Sequence, residues 1–107
     1  MPFEALDIAL ETIRQLRDPL RMLARRDRDL GTQLRRSLSS MALNLAEGWR
    51  REGGDRTHLF RTAAGSAEES RTALRVAEAF GYLSLERLKR PLEGLDRVLA
   101  ITWRLTH

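Results

Sequence analysis

Apolar side chains recur at steps of three and four residues along almost the whole chain, and this periodicity confines it to amphipathic helices. From Phe3 to about Arg26, Leu6, Leu10, Ile13, Leu16, Leu20, Leu23 and Ala24 hold the pattern. From about Leu30 to Arg50 it is carried by Leu34, Leu38, Met41, Leu45 and Trp49, with Ala42 and Ala46 beside the stripe. Phe60, Ala63, Ala67, Leu74 and Ala77 continue it between about Arg56 and Phe80, and Leu88, Leu92, Leu95, Leu99 and Trp103 between Leu85 and about Leu105. No segment alternates with the two-residue period of a strand. Helices of about 20 residues span about 30 Å, and the short connections between them favour antiparallel neighbours. The expected fold is therefore all-α, an antiparallel up-down-up-down four-helix bundle in one domain, residues 1–107.

The breaks have local causes. Asp27, Asp29 and Gly31 interrupt the first pattern, and either aspartate is suited to cap the next helix. Arg51-Glu52-Gly53-Gly54-Asp55 reads as a loop with Asp55 as the following cap. Gly81 suits the left-handed position that ends a helix, Tyr82 or Leu83 supplies the accompanying apolar contact, and Ser84 caps the last helix. Pro19 and Pro91 sit inside apolar patterns that run through them in phase. At Pro19 this favours a kink over a fresh start capped by Asp18.

With 42% hydrophobic residues there is enough apolar material for a core, and 107 residues leave no room for a second one. So small a domain gains from packing against copies of itself. The formal charge is +4, and Lys89 is the one lysine, so the positive charge is almost all arginine, whose planar fork suits phosphate and carboxylate. There is no cysteine, hence no disulfide or thiolate chemistry. The first residues lack the pattern of a secretory signal and no run approaches a membrane span, so a cytoplasmic protein with no membrane role is expected.

Catalytic machinery is not apparent, and neither a metal nor another cofactor is implied. His58 and His107 are the two imidazoles, neither in a metal-binding spacing. Gly53-Gly54 lacks the lysine and hydroxyl of a phosphate loop. Ser39, Ser40 and Ser66 have no histidine at helical distance. An enzymatic alternative is a HEPN-like ribonuclease, which uses an arginine and a histidine a few residues apart on one helix. Arg51 and His58 approach that spacing, but Gly53, Gly54 and Asp55 separate them.

Two polar features remain. Arg36, Ser40, Asn44, Glu47 and Arg51 form a row along the second helix. Its centre, Asn44 with Glu47, is expected either to be a solvated face or to bond across to the third helix near Ser66 and Glu69, where Ala63-Ala64-Gly65-Ser66-Ala67 allows close approach. Positive charge gathers at the turn between these helices, in Arg50, Arg51 and Arg56. Arg35 and Arg36 are expected to extend it, and Arg61, Arg71 and Arg75 to follow on the third helix, Glu68 and Glu78 partly answering them. Such a patch suits RNA or DNA bound through phosphates, with strong salt dependence and little sequence preference. Trp49 is suited to stack a base if exposed, or else to fill the core.

Asn44-Leu45-Ala46-Glu47-Gly48 and Gly65-Ser66-Ala67-Glu68-Glu69, followed by Leu74, Ala77 and Gly81-Tyr82-Leu83, resemble the signature of the four-helix-bundle proteins encoded in 23S ribosomal RNA intervening sequences. Related to these are the accessory variability determinants of diversity-generating retroelements. The resemblance spans Arg35 to Leu83. It departs from the pattern at Ala42, where a proline is common, and at Ser70, where a larger apolar residue is usual. It implies a homopentamer, and its retroelement branch implies a basic partner of a reverse transcriptase and its nucleic acid in mutagenic retrohoming. The combined expectation is a non-catalytic, oligomeric, nucleic-acid-binding accessory protein, with a structural scaffold as the alternative.

Overall fold

A computed structural model describes residues 3–107. It contains five helices among the described residues: α1 (Glu4–Gln15), α2 (Arg17–Arg26), α3 (Arg28–Trp49), α4 (Gly53–Ala79) and α5 (Leu85–Thr106). The expected count of four becomes five because the first segment is interrupted at Leu16. Pro19 has no N–H for the Gln15 carbonyl, and its ring crowds that same carbonyl. The chain responds at Leu16 (φ −94°, ψ 1°). The Leu16 N–H is shared between the Thr12 and Ile13 carbonyls at 3.1 and 3.0 Å, and Leu20 N–H returns to the Leu16 carbonyl at 2.8 Å. Leu16 is fully buried, so the apolar phase passes through the interruption intact. Pro91, by contrast, lies buried within α5 without dividing it.

The helices pack as four columns in cyclic order, α1 with α2 forming one column against α3 and α5, and α4 lying between α3 and α5. Neighbouring columns run antiparallel: Ser37 meets Ser70 while Gly48 meets Phe60, and Arg71 meets Asp96 while Arg61 meets the Thr106 carbonyl. The molecule measures 42 × 22 × 21 Å.

Asp27 alone separates α2 from α3 and caps the latter, its carboxylate accepting Leu30 N–H at 3.0 Å. Gly31, expected in a break, lies inside α3. A Cβ there would stand 3.1 Å from Ala24 Cα, so a side chain would hold α2 and α3 apart. Asp55 is not the cap of α4. That helix begins at Gly53 (φ 60°), and Asp55 sits in its first turn, where a negative charge favours the helix dipole. The α4 terminus follows the expectation: Tyr82 N–H reaches the Ala77 carbonyl and Gly81 N–H the Glu78 carbonyl, both at 2.9 Å, with Gly81 at φ 79°. Ser84 caps α5 through Arg87 N–H at 3.4 Å.

The core contains Leu34, Leu38, Met41 and Leu45 of α3, the five expected residues of α4, and Leu88, Leu95 and Val98 of α5. On α1 the buried line is Ala5, Ala9 and Thr12, with Leu6 and Ile13 at its flanks. These small residues let α5 approach closely, and a Cβ at Gly94 would collide with the Thr12 hydroxyl. Gly48 serves the same purpose between α3 and α4, where a Cβ would lie 2.8 Å from the Phe60 ring. Gly48→Ala is therefore expected to destabilise by about 1–3 kcal/mol in urea denaturation. Gly54→Ala, facing open space in a helix, is expected to stabilise by about 0.5–1 kcal/mol.

Candidate nucleic-acid interface

The polar row of α3 divides in two. Asn44 Nδ2 donates to the Ser40 carbonyl at 2.8 Å and lies 3.1 Å from Ser40 Oγ, and Ser66 Oγ–H of α4 donates to Ser40 Oγ at 2.8 Å. One turn further, the fully buried Ser70 hydroxyl meets Ser37 Oγ at 2.7 Å. The crossing to α4 thus runs through Ser40 and Ser37. Glu47 and Glu69 are not in it: Glu47 turns to Arg51, 2.6 Å away, and Glu69 lines an open groove with Gln33 and Arg36. The Arg51 guanidinium holds the Glu47 carboxyl below the usual carboxylate range, and Glu47 in turn raises Arg51. Gly65 itself faces outward with nothing within 4 Å of where its Cβ would be, while Ala63 and Ala67 beside it are fully buried and Ser66 meets α3 at Ser40.

The arginines named by the sequence do not form one patch. Arg36 and Arg50 are separated by about 21 Å of helix at 1.5 Å per residue, so Arg35 and Arg36 belong to the other half of the molecule. At the α3–α4 turn, Arg50, Arg51 and Arg56 are matched in number by Glu47, Glu52 and Asp55. Arg56 is also structural. Its guanidinium carbon lies 4.8 Å from the centre of the Trp49 ring and 5.4 Å from that of Phe60, and its Nε is buried without a partner. Arg71 stands 2.8 Å from Asp96 and 3.7 Å from Glu68, and Arg61 donates to the Thr106 carbonyl at 3.3 Å. Arg35, Arg36, Arg50 and Arg75 are exposed and make no ion pair among the described residues.

The surplus positive charge lies elsewhere. Residues 17–36 carry seven arginines against three aspartates, a surplus of four that equals the formal charge of the whole chain. These residues form α2, the single-residue turn and the first half of α3. Arg17, Arg21, Arg25, Arg26 and Arg28 supply most of that positive charge, none of them among the arginines expected to bind nucleic acid. The available signal was the running charge balance rather than the local density of arginine. The three aspartates are already subtracted in the surplus; Asp27 caps α3 and Asp18 pairs with Arg21 in solvent at 3.2 Å.

Trp49 packs into the aromatic cluster that closes this end of the bundle. Its ring stacks on Phe3 at 4.4 Å and 7°, and Phe3 also contacts Phe60 at 5.4 Å. Trp103, expected in the core, is instead 61% exposed and stacks on His107 at 3.4 Å. Arg51 lies in the α3–α4 connection and His58 on exposed α4, so the two do not share a helix. Among the described residues, no group of three or more His, Cys, Asp or Glu is placed to hold a metal ion, and no helix is long and apolar enough to cross a membrane.

The model of the 23S rRNA-intervening sequence protein family matches residues 4–103. The chain belongs to that family. A crystal structure of a protein with unknown function from the S23 ribosomal protein family of Bacteroides thetaiotaomicron VPI-5482 is similar to it, with a TM-score of 0.82 over 95% of this chain and 97% of that one. The sequences are 17% identical, so the likeness is one of fold. No curated protein matches the chain. Within the family signature, Asn44 and Ser66 meet at Ser40, Gly48 admits the Phe60 ring, and Gly81 ends α4, which gives those positions structural reasons.

Because Arg56 rests on two aromatic rings, Arg56→Ala is expected to lower stability by about 1–2 kcal/mol through lost cation–π and packing contacts. Arg50→Ala, exposed and unpaired, is expected to change it by less than about 0.5 kcal/mol. Thermal or urea unfolding of the two variants side by side checks the contrast.

Proposed function

We propose that this family member is a non-catalytic, oligomeric accessory protein that binds RNA or DNA through its phosphate backbone. The observation that carries the reading is the placement of the entire charge surplus on α2 and the start of α3. Charge spread evenly serves solubility, whereas charge gathered at one end of a bundle sets up a field that attracts a polyanion. Arginine is the residue whose donor geometry fits phosphate. No groove-reading motif accompanies it, so the binding is to backbone rather than to base edges.

Assembly into an oligomer, a pentamer by resemblance to the family, is supported by apolar groups left outside the core, such as Leu43, Phe80 and Leu85, each more than 60% exposed. Partnership with a reverse transcriptase rests on the resemblance to the retroelement branch, and the basic charge agrees with it.

A fluorescence anisotropy titration of the wild-type protein against unrelated RNA and DNA oligonucleotides tests the reading. Affinity is expected to fall linearly with salt on logarithmic axes, by a factor of ten or more between about 50 and 200 mM, and to differ little between sequences. Absence of salt-dependent binding by a correctly assembled oligomer would reject it and leave the scaffold role.

A further inference from the structure

Between α2 and α3 runs a groove of about 380 Å³ lined by Arg21, Arg28, Arg35, Thr32 and the small residues Ala24 and Gly31. Three cations facing one concavity repel one another, and each is exposed, so packing does not require them. Neither Arg28 nor Arg35 has a carboxylate partner among the described residues, and the Arg21 pair with Asp18 is more than 70% exposed on both sides. Building on the nucleic-acid reading above, we infer that this groove is the phosphodiester subsite, where Arg21, Arg28 and Arg35 hold consecutive stretches of one polynucleotide backbone.

Helix electrostatics separate these arginines from their neighbours. Arg25 and Arg26 lie in the last turn of α2, where a cation favours the negative end of the dipole, so they have a structural reason to be basic. Arg28 is the first residue of α3, at the positive end of that dipole, where a cation is disfavoured. An anion in the groove reverses the sign of that interaction. Arg35 follows Arg28 by seven residues, two helical turns, and so projects from nearly the same face about 10.5 Å further along. That places cations at intervals along the groove rather than at one point, which suits an extended backbone.

The floor and rim agree with this ligand. Gly31 and Ala24 bring the two helix backbones together, which keeps the groove shallow and open along its length. Thr32 adds a hydroxyl. Neither it nor Thr72 makes the bond to the carbonyl four residues back that the other threonines make, so its proton is available to a phosphate oxygen.

The test compares wild type, the triple variant Arg21→Gln, Arg28→Gln, Arg35→Gln, and the double variant Arg50→Gln, Arg51→Gln, titrated with a labelled single-stranded RNA and its DNA counterpart over a salt series. Circular dichroism and light scattering establish that fold and assembly are unchanged. Each lost phosphate contact on a single strand lowers the salt slope by about 0.7, so the triple variant is expected to lose about 2 and the double variant to keep the wild-type slope. Wild-type binding with an undiminished slope in the triple variant, or an equal loss in the double variant, overturns the groove while leaving the nucleic-acid reading standing. No salt-dependent binding by wild type rejects that reading and the groove together.

Discussion

The pairing of the Ser37 and Ser70 hydroxyls at 2.7 Å, buried between the helices, sets how α3 and α4 lie against each other. Each hydroxyl also reaches a carbonyl of its own helix, Ser37 that of Leu34 and Ser70 that of Ser66, so a slide of either helix by one turn gives up the cross-helix bond alone, at about 0.5–1.5 kcal/mol. Ser40 with Ser66 sets the same register one turn away, and Gly48 under the Phe60 ring sets it near the end. Small side chains make the polar contacts possible because the backbones are close. That close pair then offers α1, α2 and α5 a rigid surface, and Phe3, Trp49, Phe60 and Arg56 close one end over it.

Much of this fold was legible in the sequence because its signals are local. The Gly81 turn, the Ser84 cap and the α4 core residues follow from periodicity and from the backbone preferences of single residues. What was misread depends on partners distant in sequence. Gly31 looked like a break because glycine disfavours helix, yet its lack of a side chain is used by Ala24 of another helix. The kink expected at Pro19 falls instead at Leu16, because the consequence of the proline lands on the turn whose carbonyl it cannot serve. Ser70 departs from an apolar pattern, and its reason is a serine on the facing helix.

The candidate site was less legible than the fold, again for a physical reason. Clusters of arginine draw the eye, but electrostatic potential depends on what lies beside them in space. Arg50 and Arg51 stand among acids on the same turn, and Arg56 lies on aromatic rings, so a dense basic stretch has little surplus charge. Of the two tryptophans on apolar stripes, one packs and one does not. Trp49, next to the arginines, is held by Phe3, while Trp103, at the end of an apolar stripe, is left open to solvent.

Family membership accounts for the bundle but not for its use, since the family positions that the structure explains are those that pack or turn the chain. Function has to be sought where the chain departs from what packing and helix electrostatics favour. At the α2–α3 turn such a departure is visible. Arg28 occupies a helix start where a cation is disfavoured, beside a glycine and an alanine that keep a groove open, and shares that groove with Arg35, which has no carboxylate partner among the described residues, and with Arg21, whose pair with Asp18 lies in solvent. The gathered cations cost the isolated chain something, and a polyanion in the groove turns that cost to advantage.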